Sequence, residues 1–176
     1  MKRISVDARG GNDSIVDQGS GAADALPITL SDGDGDDTLK SNAIDVLFSG
    51  GAGTGDVVDY TARTANLVVW LDGSRTSGQR GDRHRFDGTV ERVWGGGGND
   101  YIVGTKGNNA LCGNGGNDTL YGGGGDGVDA CFGGAGNDYI YVVDGNADYV
   151  DGGPGVDRAD VDLLDTVVNT ESVTRH

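Results

Sequence analysis

Glutamate is nearly missing from a chain that is otherwise strongly acidic: Glu91 and Glu171 are its only two copies in 176 residues of formal net charge −15. A surface made acidic for solubility alone would draw on both acids, and glutamate is the better helix former. The acids here belong to turns. Apolar residues other than glycine are also few, 35% against roughly 38–43% in average proteins once their ~7% glycine is set aside, which argues against a thick two-layer core. No run approaches the ~18 apolar residues of a membrane-spanning helix, so membrane insertion is not expected. The stretch Met1 to Asp7 lacks the apolar segment of an ordinary signal peptide. Two cysteines, Cys112 and Cys131, are too few for a disulfide scaffold, and their spacing matches no zinc site. Histidine is confined to His84 and His176, neither of them in an H-E-x-x-H motif. No nucleophile–base constellation is visible, so the chain is not expected to be an enzyme. The excess of negative charge argues against nucleic acid and anionic membrane surfaces as partners.

What the chain has is glycine, 35 residues of it, far above the ~7% of average proteins. Such a chain is either disordered or built by stacking small units around a thin core. Glycine with aspartate makes turns that present short carboxylates, a donor type suited to hard cations such as calcium. From Gly95 the sequence divides into blocks of about nine residues. Gly95 to Val103, Gly104 to Cys112 and Gly113 to Tyr121 follow one another without a gap. The block Gly122 to Phe132 carries two extra residues, and Gly133 to Tyr141 is a clean copy. A degenerate block ends in Asp148-Tyr149-Val150-Asp151, and Gly152 to Asp160 closes the array. Weaker copies lie upstream, with Asp13, Asp37 and Asp56 in phase. The segment from Asp17 to Leu30 fits no repeat and is expected to bulge as a loop.

The consensus is G-G-x-G-x-D-x-U-x, with U apolar, and it closely resembles the RTX, or hemolysin-type, calcium-binding nonapeptide of bacterial proteins. That resemblance implies an all-β, right-handed parallel β-roll, an RTX solenoid in which two nonapeptides make one coil. The first six residues of each would form a metal-binding turn and the last three a short strand. Alternating blocks then form opposite walls. Ile102, Leu120, Ile140 and Ala159 should stack inward on one wall, and Leu111, Cys131 and Val150 on the other. Asp100, Asp118, Asp138 and Asp157 should share one column of turns, and Asn109, Asp129 and Asp148 the second.

Coils about 4.8 Å apart set neighbouring carboxylates against one another by roughly 1 kcal/mol per pair even in water. Calcium between successive turns would reverse the sign. Its ligands are expected to be these Asp columns, with Asp13, Asp37 and Asp56 upstream, and loop carbonyls from Gly95, Gly97, Gly113, Gly115, Gly133, Ala135, Gly152 and Pro154. Several calcium ions are expected, and without them a disordered chain. Asp32, Asp34 and Asp36 do not make an EF-hand, because Asp37 and Ala43 would stand where that loop needs glycine and glutamate.

Four divisions of one continuous domain are expected: degenerate repeats over 1–59, an interruption over 60–94, the regular array over 95–160 and a strand-rich cap over 161–176. Within the interruption, Asn66 to Gly73 reads as a longer strand ending in a turn. The loop 73–85, with Arg75, Arg80, Arg83, His84 and Arg85, offers a site for an anion or a polysaccharide carboxylate. The favoured alternative is a solvated loop on an acidic body. In Val90-Glu91-Arg92-Val93-Trp94 the phase returns, with Glu91 in the Asp slot.

Cys112 and Cys131 fall on neighbouring coils of one wall, and both a disulfide and a pair of thiols fit that placement. The resemblance implies a monomeric, secreted module that folds outside the cell. The missing signal peptide agrees with export by a C-terminal signal and equally with a piece of a larger protein. The alternatives are an extracellular adhesin or ligand-binding module, or the non-catalytic appendage of a secreted hydrolase or epimerase. Ice binding is disfavoured because the Asn99, Asn108, Asn117 and Asn137 rank has no threonine rank beside it.

Overall fold

Short strands separated by tight turns cannot bury an apolar face alone, so they must stack. The computed structural model describes residues 4–17, 28–31, 33–41 and 46–176. Among these residues there is no helix, and the strands stack as parallel sheets of an all-β roll. One wall has eight strands: Ser14–Asp17, Thr38–Ser41, Val57–Asp59, Arg92–Trp94, Ala110–Gly115, Ala130–Ala135, Tyr149–Asp151 and Thr166–Val168. The second contains Leu67–Trp70, Tyr101–Val103, Thr119–Tyr121, Tyr139–Tyr141, Arg158–Val161 and Ser172–Arg175. Gly78–Gln79 pairs antiparallel with Leu67–Trp70 at its edge.

Strand register carries the repeat into the core. Val58, Val93, Leu111, Cys131 and Val150 are consecutive partners on the first wall. Val69, Ile102, Leu120, Ile140 and Ala159 are consecutive partners on the second. All ten are fully buried and belong to one cluster. The core is the expected narrow double file. Each fully buried Leu or Ile contributes only about 2 kcal/mol, so this file is a modest source of stability for so long a chain.

The outer face of the second wall carries an aromatic row. Ring centroids of Trp70 and Tyr101 lie 5.6 Å apart, those of Tyr101 and Tyr121 5.4 Å, and those of Tyr121 and Tyr141 5.7 Å. Arg75 stacks over the Trp70 ring at 4.7 Å.

The N-terminal part departs from expectation. The loop anticipated between Asp17 and Leu30 ends in a strand, Ile28–Ser31, which pairs in parallel with Ile4–Asp7 and Val46–Ser49. Residues 18–27, Asp32 and 42–45 lie outside the described residues. With Arg85–Phe86 these strands make a third, four-stranded sheet. Its inward residues Leu30, Val46, Phe48 and Phe86 are buried. A search for glycine-led blocks misses this sheet, because apolar alternation alone defines its strands.

The interruption is part solvated and part integrated, with Arg75, Arg80, Arg83 and Arg85 exposed. Ser77 and His84 are buried. The Tyr60 hydroxyl and His84 Nδ1 are hydrogen-bonded at 2.7 Å, and Arg63 pairs with Asp82 in the interior. Trp70 N–H donates to Ser77 Oγ at 2.8 Å. The polar residues of this segment satisfy one another inside the roll, which a count of charges does not reveal. The tail adds one strand to each wall through Thr166–Val168 and Ser172–Arg175. Both cysteines are free thiols. Cys131 faces the core and Cys112, paired with Phe132 one position on, faces outward. In a strand, adjacent positions point to opposite faces.

Candidate metal centre

Most strands of the regular array are entered through a glycine turn that ends in an acid, and these acids, with others in their columns, form two ladders. On the second wall, Leu67 N–H donates to Asp100 Oδ1 at 2.9 Å. Asp100, Asp118 and Asp138 then donate their N–H to Oδ1 of Asp118, Asp138 and Asp157, each at 2.7 Å. Asp157 N–H closes the column on Glu171 Oε2, also at 2.7 Å. On the first wall the order is Asp13 to Asp37, Asp37 to Asp56 and Asp56 to Glu91. After a break, Asn109 donates to Asp129, Asp129 to Asp148 and Asp148 to Asp165. The rungs span 18, 20 and 19 residues in the regular array. An outer ladder of asparagines runs beside the Asp100 to Asp157 column, with Asn99, Asn117 and Asn137 accepting from the next turn at 2.8, 2.8 and 2.9 Å.

In most of these acids the backbone uses one oxygen, and in seven of them a second oxygen is left over. Oδ2 of Asp13, Asp37, Asp56, Asp118, Asp138, Asp148 and Asp157 is buried without a hydrogen-bond partner. Buried carboxylate oxygens are costly unless they are hydrogen-bonded, paired or bound to metal. Glycine makes room for them. At Gly113 a Cβ would collide with Asp118 Oδ2 and stand 2.6 Å from the Gly133 carbonyl. At Gly133 it would meet Asp138 Oδ2 and stand 2.5 Å from the Gly152 carbonyl. At each of these glycines a carboxylate oxygen and the carbonyl of the next coil therefore close in together, with no room for a side chain. The profile of the RTX calcium-binding nonapeptide repeat matches residues 94–129, in 4 copies.

This stretch is an RTX calcium-binding array.

RTX repeats bind calcium, and the array is a calcium-binding β-roll module. A search of curated proteins gave no match to the chain. The donors fit the ion: they are all oxygens, anionic and neutral together, as calcium prefers. Asp118, Asp138 and Asp157 could hold it in one column, and Asp37, Asp56, Asp129 and Asp148 in the other, with Asp13 at the outer end.

The remaining expected ligands differ in what their oxygens already do. Asp100 uses both, since its Oδ2 accepts from Gly96 N–H at 2.8 Å. Asn109 is satisfied throughout: Oδ1 accepts from Thr105 N–H at 2.6 Å and Nδ2 donates to the Glu91 carbonyl at 3.2 Å. Among the carbonyls, those of Gly113, Gly133 and Gly152 lie beside the preceding coil's first glycine. The Gly95 carbonyl accepts from Asn114 Nδ2 at 2.8 Å. Those of Ala135 and Pro154 accept from Gly116 and Gly136 N–H at 2.9 and 3.1 Å. Gly97 and Gly115 enter the turns through their N–H groups, bonded to Arg63 O and Gly96 O.

Burial dominates the electrostatics. It pushes Asp118 up to about 7, with the carboxylates of Asp100 and Asp138 adding to it and the Asp100 N–H opposing it. Asp129 is likewise pushed up to about 7, first by burial and then by Asp148 and Asp144. Asp56 and Asp148 rise to about 6, again by burial first. Asp100, Asp138, Glu91 and Asp165 move in the same direction for the same leading reason.

The sequence reading left four acids out of the ligand set. Glu91, Asp165 and Glu171 continue the columns, and the first was already visible from its phase. Asp144 has no such phase. It occupies the third position of the degenerate block, where its carboxylate lies within 4.8 Å of those of Asp129 and Asp148.

Proposed function

We propose that this chain is a calcium-responsive structural module, unfolded where calcium is scarce and folded outside the cell where calcium is abundant, with no catalytic role of its own. The observation that carries this reading is the set of buried Oδ2 atoms that no protein donor satisfies. Calcium among Asp118, Asp138, Asp157, Asp129 and Asp148, and upstream among Asp13, Asp37 and Asp56, would neutralise the charge that the turns bring together. Carbonyls such as those of Gly113, Gly133 and Gly152 would complete the shell. Because the ligands come from different coils, folding and ion uptake form one reaction. That coupling suits a protein exported unfolded and set by the calcium it meets.

Far-UV circular dichroism during a calcium titration tests this, with magnesium as control. The expected result is a cooperative gain of β signal with calcium alone, reversed by a chelator. A β spectrum that survives exhaustive chelation would remove the switch and leave a roll held by its apolar files.

A second reading, a ligand-binding module, is favoured by one feature. Trp70, Tyr101, Tyr121 and Tyr141 line an open groove of about 610 Å³ with Asp72 and Lys106 at its edge. The basic loop reaches this groove through Arg75, stacked on Trp70.

A further inference from the structure

The degenerate block 142–151 lies outside the matched repeats, yet two of its acids, Asp144 and Asp148, gather with Asp129 of the coil before, their carboxylates within 4.8 Å of one another. Val142 and Val143 replace its first two glycines, and Asp144 follows. Each of the three clustered acids commits Oδ1 to the backbone. Asp129 accepts from Asn109 N–H at 2.8 Å, Asp148 from Asp129 N–H at 2.8 Å and Asp144 from Asn146 N–H at 2.9 Å. Oδ2 of Asp148 is left buried and unpartnered, in a residue only 2% exposed. Asp129 is 3% exposed.

The turn that carries Asp144 is held from both sides. Asn146 Nδ2 donates to the Gly125 carbonyl of the coil before at 2.9 Å, and Gly145 N–H donates to Asp162 Oδ2 after it at 2.7 Å. In the folded roll these bonds hold the Asp144 side chain beside its two neighbours. Preorganised ligands and a higher ligand charge are what raise calcium affinity from one site to the next.

We propose that Asp129, Asp144 and Asp148 form a three-carboxylate calcium site, the tightest in the roll and the first to fill, with the Asp144 side chain as a ligand from a position outside the repeat's own acid slot. The proposal rests on the calcium reading above. Filling this site first orders the coils from Gly122 to Asp151, and the rest of the array then adds its ions on a formed template.

Competition titration against a fluorescent calcium chelator tests it on the full chain, with Asp144→Asn and Asp118→Asn compared. Asparagine retains an Oδ1 for Asn146 N–H, so the turn is kept while the charge is lost. The expected result is one step in the wild type that is tighter than the rest. Asp144→Asn should weaken that step by roughly tenfold or more, and Asp118→Asn should leave it in place. A titration of Asp144→Asn that overlays the wild type would overturn the proposal, as would loss of the tight step in Asp118→Asn alone. Hydrogen exchange of the wild type at one equivalent of calcium gives a readout free of any variant. Protection should appear over 122–151 before 95–121, and the reverse order would also overturn it. A wild type that takes up no calcium would instead remove the underlying reading.

Discussion

Replacing Asp118, Asp129, Asp138, Asp148 and Asp157 together with asparagine is expected to give a roll that folds without calcium. Asparagine keeps the Oδ1 that accepts the backbone N–H of the coil before, so both ladders survive. It removes the charge. Carboxylates stacked about 4.8 Å apart at an effective dielectric of ~20 repel by roughly 3 kcal/mol per pair. Three adjacent pairs then cost on the order of 10 kcal/mol, comparable to the whole stability of a typical domain. The chain already contains the variant's precedent in Asn109, whose Nδ2 donates to a carbonyl of the preceding coil. Circular dichroism in chelator should show β structure for the variant and little for the wild type, and calcium should change the variant's spectrum hardly at all. A variant unfolded with and without calcium would mean that the carboxylates hold the turns by some means other than neutralisation by metal.

A reversal of pH dependence is the second large effect. Asp118 and Asp129 titrate near 7 in the folded, metal-free chain, against about 4 in an unfolded one. Between those values the folded state binds more protons, so acid favours it. The contribution of these groups is complete below about pH 4 and is lost as pH rises through 7. Calcium needs the same groups deprotonated, so its affinity grows over the range in which the bare roll weakens. Metal-stripped protein should therefore show more β structure by circular dichroism at pH 5.5 than at pH 8. Calcium-saturated protein should show the opposite order in its stability. A pH response of the same sign in both conditions would contradict the assignment of these carboxylates to the ion.

Much of this architecture was legible because its signal is local. An acid two places before an apolar residue, after a run of glycines, fixes both the turn and the inward position. Ile102, Leu120, Ile140 and Ala159, and Leu111, Cys131 and Val150, occupy the stacks their phase implied. What escaped depends on contacts between distant residues. Ile28–Ser31 is a strand because it finds Ile4–Asp7 and Val46–Ser49, and no glycine turn announces it. Ser77 and His84 look like loop residues until Trp70 and Tyr60 are seen to bond them. Asp144 sits out of phase, and only the fold brings it to Asp129 and Asp148. The same holds for Asp100 and Asn109: their phase marks them as ligands, but the hydrogen bonds that occupy their side chains come from Gly96, Thr105 and Glu91.

The central claim is that the unpartnered carboxylate oxygens exist for calcium. Anomalous diffraction from crystals grown in calcium measures this directly. The account predicts peaks within about 2.3–2.6 Å of the unpartnered Oδ2 atoms of Asp118, Asp138, Asp148 and Asp157, between successive coils. Crystals in calcium with ordered turns and no anomalous density beside these oxygens would contradict it.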